Sequence, residues 1–141
     1  MSRRVTLASG ITINTAVDGD DAGKPWIVLS NSLGASLGMW DPQIDFLTGK
    51  YRVLRYDTRG HGASDAPKGP YDFADLVGDV IGMMDAYDIE TSAFMGLSLG
   101  GMTGLGLALD HGDRISRVAR FNSDRLAIMP FSKSLESTSN L

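Results

Sequence analysis

Gly96-Leu97-Ser98-Leu99-Gly100 is the stretch that decides the fold of this chain. It lies between a short apolar run, Ser92-Ala93-Phe94-Met95, and a helical segment that opens near Gly101. A serine at a strand-to-helix junction, with glycine two positions before and two after it, marks a very tight turn that lifts the hydroxyl clear of the sheet. A larger side chain at either flanking position would collide across the bend. The helix behind it aims free N–H groups and a positive dipole end at the place where an oxyanion would form. Gly-x-Ser-x-Gly recurs by chance, so the strand and helix on either side are what make it specific here.

Outward from this turn, short apolar runs alternate with helical segments, the order expected of an α/β protein with a mostly parallel sheet. Trp26-Ile27-Val28-Leu29 is continuously apolar, as a strand buried on both faces should be, and Tyr51 to Tyr56 reads as the next strand. Leu76, Val80, Met83, Met84 and Tyr87 share one helical face, with Asp72 as the cap and the methionine pair as core filling. Asp41 is expected to cap a short helix beginning at Pro42. Met102, Leu105 and Leu109 are expected to form the buried face of the helix after Ser98, and Ile115 to Phe121 is the last strand expected. Before all of these, Val5-Thr6-Leu7 and Ile11 to Val17 alternate with period two around Ala8-Ser9-Gly10, an antiparallel hairpin. Asp18 to Pro25 reads as a solvated turn; its acids lack the spacing of a calcium loop, so no metal site is expected.

With 141 residues, 43% apolar and 21% charged, the composition suits one ordinary globular domain. A net charge of −4 gives nucleic acid no basic surface, and no apolar run reaches membrane-spanning length. Arg3 and Arg4 have no apolar segment behind them, so a secretory signal is not expected and the cytoplasm is. The absence of cysteine excludes a disulfide framework, a thiolate metal site and a cysteine nucleophile.

Ser98 is therefore the candidate nucleophile. An oxyanion hole needs two donors: the N–H of Leu99, directly after the serine, and one from the loop after Trp26–Leu29. That loop is Asn31-Ser32-Leu33-Gly34, where the N–H of Leu33 is the expected donor and Ser32 and Gly34 are small enough to let the backbone approach a substrate. A general base is harder to find. His61 precedes Ser98 in a glycine-flanked loop, and His111 ends a helix of about 16 Å that leads away from it. Neither is a credible base. Asp124, after the last expected strand, is a candidate for the acid of a catalytic triad.

Four stretches taken together resemble one family. They are Val28-Leu29-Ser30-Asn31-Ser32-Leu33-Gly34, Met39-Trp40-Asp41-Pro42-Gln43, Arg55-Tyr56-Asp57-Thr58-Arg59-Gly60-His61-Gly62 and Gly96-Leu97-Ser98-Leu99-Gly100-Gly101-Met102. Over roughly residues 10 to 120 the chain looks like the 3-oxoadipate enol-lactonases, a branch of the α/β-hydrolases. The resemblance implies hydrolysis of a small-molecule lactone, 3-oxoadipate enol-lactone, to 3-oxoadipate during aromatic-compound breakdown, with no metal or organic cofactor. Ser98 matches the family nucleophile, and Leu33 and Leu99 match its oxyanion-hole positions. Asn31, Ser32, Gly34 and Trp40 are expected to line the substrate pocket.

The resemblance fades after Phe121. Members of the family carry a helical cap and two further strands that bear the acid and the histidine. The expectation is thus the N-terminal half of an α/β-hydrolase fold without cap or last strands: a partial core over 1–124 and a divergent, irregular tail over 125–141. Ile115–Phe121 would then lie at the sheet edge. A frameshift, an early stop or a fragment would each produce such a tail. Two alternatives stand beside the lactonase: another esterase or haloperoxidase-like α/β-hydrolase, and an inactive remnant without a triad histidine.

Overall fold

The computed structural model describes residues 2–19, 21–122 and 125–130. In chain order its elements are β1 (Ser2–Thr6), β2 (Thr12–Asp18), β3 (Trp26–Ser30), α1 (Asp41–Thr48), β4 (Arg52–Tyr56), α2 (Phe73–Ala86), β5 (Ser92–Leu97), α3 (Leu99–Asp110), β6 (Ile115–Asn122) and β7 (Arg125–Pro130). They build one seven-stranded sheet in the order β1-β2-β4-β3-β5-β6-β7. The expected hairpin is β1 and β2, and β2 continues antiparallel onto β4. From β4 through β3 and β5 to β6 every pairing is parallel. The chain leaves β3 toward β4 on one side and returns to β5 on the other, so a crevice opens beyond the carboxyl ends of β3 and β5.

Period-two alternation in the central strands divides the core between two faces. On one face Val28, Leu54 and Phe94 pack against Val77, Val80, Met83 and Met84 of α2 and Leu107 of α3. On the other, Ile27, Leu29, Val53 and Ala93 pack against Trp40 and Leu47. The helix α2 begins in a full capping box: Asp72 accepts from the Asp75 N–H, and the Asp75 side chain accepts from the Asp72 N–H. Among the described residues no helix is long and apolar enough to cross a membrane.

Three expectations are corrected. Asp41 does not cap α1. A 3₁₀ turn over Leu37–Trp40 runs straight into the helix, so residue 41 is already helical (φ −47°) and its carboxylate accepts from Arg55 at 2.6 Å. Burial works against the charge on Arg55, but the hydrogen bonds it donates to Asp18 and Asp41 outweigh that penalty and raise its pKa above the ordinary arginine value.

The buried face of α3 also differs. Met102 is 49% and Leu109 85% exposed, whereas Gly100, Gly101, Thr103, Gly104 and Leu107 are buried. This helix lies so close to the sheet that small residues mark its inner face: a Cβ at Gly104 would stand 3.0 Å from both Phe94 and Val118. Finally, the stretch expected to be irregular from residue 125 onward pairs antiparallel with β6 as β7, over Arg125–Pro130, so β6 is not a sheet edge. The remainder of the expected tail, 131–141, lies outside the described residues.

Candidate active site

Ser98 stands between the last residue of β5 and the first of α3 with φ 55° and ψ −108°. A side chain disfavours this region of backbone space, and residues held there are sustained by the structure around them. The surrounding contacts are specific. The Ser98 N–H donates to the Phe121 carbonyl at 2.8 Å, and the Gly100 N–H donates to the Asn31 carbonyl at 3.1 Å. A Cβ on Gly96 would lie 2.2 Å from the Gly100 backbone, and one on Gly100 would lie 2.2 Å from the Ser30 carbonyl oxygen. Both glycines are therefore obligatory where the helix start presses onto the sheet. If strain is stored at Ser98, glycine relieves it and alanine does not. Ser98→Gly is expected to exceed Ser98→Ala in stability by about 1 kcal/mol in urea melts; equal midpoints would contradict the strain.

The loop after β3 is fixed from beneath. Asn31 is wholly buried. Its Nδ2 donates to the Tyr56 carbonyl and its Oδ1 accepts from Trp40 Nε1, both at 2.8 Å. Below it, the Ser30 and Tyr56 hydroxyls meet at 2.7 Å, and burial pushes the Tyr56 phenol well above its usual range, so it remains a neutral hydroxyl. Asp57, also buried, accepts from the Leu37 N–H and the Asn14 side-chain amide, which ties the loop to β2. The chain passes Gly34 at φ 81°, a conformation suited to glycine.

Ser98, Leu33 and Leu99 line one open cavity of about 280 Å³. Among the described residues no backbone or side-chain group accepts a hydrogen bond from the N–H of Leu33 or Leu99. Leu99 is the first residue of α3, where the helix itself leaves the N–H without a partner. Two free amides and an exposed hydroxyl can bind a carbonyl oxygen and present a nucleophile to its carbon.

The remaining candidates are placed as follows. Trp40 lines a second, more apolar cavity of about 310 Å³ with Met39, Gln43, Met95, Leu97 and Phe121. The Asn31 side chain faces inward to Trp40 and Tyr56, so it holds the loop and does not face either cavity. Ser32 is half-buried and Gly34 exposed; neither is among the residues lining the two cavities. His61 sits in the loop after β4 with Nδ1 3.2 Å from the Arg59 carbonyl, and His111 caps the far end of α3. Asp124 lies outside the described residues. Among the described residues no cluster of His, Cys, Asp or Glu is placed to hold a metal ion.

Four residues lining the Ser98 cavity were not foreseen from the sequence: Gly101 and Met102 at the start of α3, the latter expected to be buried, and Arg120 and Phe121 of β6. For β6 the signal was available, because a strand that follows the helix after Ser98 and pairs in parallel with β5 must end beside the turn.

The fold and this turn define a class. The sequence pattern of the α/β-hydrolase fold family matches residues 25–137, and the chain belongs to that family. Among its relatives, 3-oxoadipate enol-lactonase 2 of Acinetobacter baylyi is 43% identical over 116 residues, which is 82% of this chain and 43% of the relative. A putative carbamate hydrolase RutD of Caulobacter segnis is 39% identical over 103 residues, 72% of this chain and 39% of that one. The crystal structure of the enol-lactonase from Burkholderia xenovorans LB400 superposes with a TM-score of 0.80 at 53% identity, covering 82% of this chain and 45% of that one. The chain thus spans less than half the length of each of these relatives.

Proposed function

We propose that this chain carries the nucleophile and oxyanion hole of a serine hydrolase acting on a lactone or ester, of the 3-oxoadipate enol-lactonase type. The observation that carries the reading is the left-handed backbone of Ser98, which sets its hydroxyl in one cavity with Leu33 and Leu99, whose amides meet no acceptor among the described residues. Ser98 Oγ attacks the lactone carbonyl carbon, and the carbonyl oxygen, now negative, accepts hydrogen bonds from the Leu33 and Leu99 N–H groups. Collapse of the tetrahedral adduct breaks the ring C–O bond, the proton lost from Ser98 Oγ passes through water to the departing enol oxygen, which becomes the ketone on tautomerisation, and water then hydrolyses the acyl-serine to the free acid and restores the Ser98 hydroxyl. The step as written draws on no metal or organic cofactor.

The substrate in this reading is 3-oxoadipate enol-lactone, opened to 3-oxoadipate during aromatic-compound catabolism in the cytoplasm; nucleic acid and membrane take no part. The names of the Acinetobacter and Burkholderia relatives support that choice. The Caulobacter relative's name shows that close sequences are assigned to other acyl substrates, so an esterase of different specificity is the neighbouring alternative.

The position of the histidines favours a slow form of this chemistry. Among the described residues no imidazole or carboxylate lines the cavity with Ser98, so within them the nucleophile has no base beside it to take its proton. A serine site deprived of its base retains some 10³-fold of catalysis over water from its oxyanion hole and binding alone. The test is a fluorophosphonate probe, which exchanges its P–F bond for a bond to Ser98 Oγ and releases fluoride. One adduct on the peptide containing Ser98 is expected, formed slowly and absent in Ser98→Ala. Equal labelling of the two proteins would overturn the reading.

A further inference from the structure

The Ser98 cavity holds one group that the reaction as written does not use. Arg120, half-buried near the end of β6, lines the cavity beside Leu33, Leu99 and Phe121. Its backbone is fixed on both sides of the turn. In the parallel register Arg120 lies level with Gly96, and the carbonyl of the next residue, Phe121, accepts the Ser98 N–H. Its Cβ leaves the strand toward the first turn of α3, where a Cβ on Gly101 would stand 3.1 Å away. Glycine at 101 therefore gives the arginine room to pass over the helix start.

Among the described lining residues Arg120 is the only ionisable side chain. Among the described residues no carboxylate is within ion-pairing distance of it. The contrast with Arg55 and Arg59 is direct, since these are held by Asp18 with Asp41 and by Asp79, and serve the fold.

We propose that Arg120 is the specificity-determining residue of this site and that it selects esters or lactones bearing a free carboxylate. The inference deepens the hydrolase reading and rests on it. A guanidinium presents a planar fork that takes a carboxylate through two parallel hydrogen bonds. The apolar walls supplied by Leu33, Met102 and Phe121 reduce competition from water. The amino end of α3 contributes potential of the same sign. A carboxylate remote from the reacting carbonyl is bound alike in ground and transition states, so the contact acts on KM and leaves kcat in place. An arginine that met the oxyanion would act on kcat instead.

The test uses the full chain and two probes of matched length, adipate and its neutral diamide, titrated by calorimetry. Wild type, Arg120→Gln, Arg120→Lys and Arg117→Gln are compared, with circular dichroism to establish that each is folded. Arg117 lies on the same strand but is exposed and does not line the cavity, which makes it the charge-matched control. Adipate affinity is expected to fall about tenfold in Arg120→Gln, the lower end for a hydrogen bond to a charged group. It should recover in part in Arg120→Lys and hold in Arg117→Gln, while the diamide binds all four proteins alike. The inference is overturned if wild type binds adipate no better than the diamide, or if Arg120→Gln and Arg117→Gln behave the same. Fluorophosphonate labelling separates the two claims. Labelled Ser98 with adipate binding indifferent to Arg120 removes this inference alone. Unlabelled Ser98 with adipate binding still dependent on Arg120 removes the hydrolase reading and leaves an anion site.

Discussion

Gly96→Ala is expected to lower the melting temperature by more than about 10 °C and to abolish covalent labelling at Ser98. The added Cβ would lie 2.2 Å from Gly100 C, 2.3 Å from Gly100 O and 2.6 Å from Gly101 N. All three are backbone atoms, so no side-chain rotation relieves the overlap. The strand cannot retreat either, since β5 is paired on one side to β3 and on the other to β6. The first turn of α3 must therefore move off the sheet. That movement breaks the Gly100-to-Asn31 hydrogen bond and opens the packing of Gly104 on Phe94 and Val118. Disruption of this kind belongs with the largest single-residue effects, above about 4 kcal/mol, against total stabilities of roughly 5–15 kcal/mol. Gly101→Ala provides the scale. Its Cβ would meet Arg120 Cβ at 3.1 Å, a side-chain atom, and a loss near 1 kcal/mol is expected. Thermal melts of the two variants check the ranking, and a Gly96→Ala protein as stable as Gly101→Ala would contradict the elbow geometry.

The second large effect concerns the base that Ser98 lacks among the described residues. Ser98 is exposed at the mouth of its cavity, so a small base from solution can reach it. Positioned general bases contribute typically 10²–10⁴-fold. A freely diffusing base recovers only part of this, because it lacks a fixed orientation. Free imidazole at 0.1 M is expected to raise the rate of fluorophosphonate labelling at Ser98 by about tenfold or more. The rise should follow the neutral imidazole fraction, increasing as pH passes upward through its pKa. His61→Gln and His111→Gln are expected to leave the unassisted rate unchanged, because neither side chain lines the cavity. A rate insensitive to imidazole but lost in either histidine variant would show that the chain supplies its own base.

Legibility in the sequence followed how strongly local chemistry constrained each element. β3 and β5 were readable because strands buried on both faces must be continuously apolar, as Trp26–Leu29 and Ala93–Met95 are. The turn at Ser98 was readable because few sequences satisfy a bend that demands glycine at both flanks. The buried face of α3 was not, because apolar periodicity assumes that large residues face the core. Here close approach to the sheet reverses that, and glycines face inward while Leu109 faces out. Asp41 looked like a cap since Asp before Pro is a common helix start, but the 3₁₀ turn ahead of it shifted the helix one residue earlier. β7 was missed although Leu126-Ala127-Ile128-Met129 is an apolar run as long as that of β3, because it follows the point where the resemblance fades and was read as part of a divergent tail. At the site, Leu33, Ser98 and Leu99 came together through two backbone rules. The end of β6 had to lie beside the turn, but which of its residues enters the cavity depends on the β5/β6 register, which no local pattern encodes, and so Arg120 was missed.

The central claim is that the amides of Leu33 and Leu99 await an oxyanion beside Ser98. Its most direct measurement is the ¹H–¹⁵N spectrum of the chain before and after fluorophosphonate labelling. In the Ser98 adduct the phosphonyl oxygen should draw the Leu33 and Leu99 amide protons downfield together, well beyond any shift at Ser32 or Gly34. An adduct on Ser98 that leaves both amides where they were, or an adduct formed on another serine, would contradict the account.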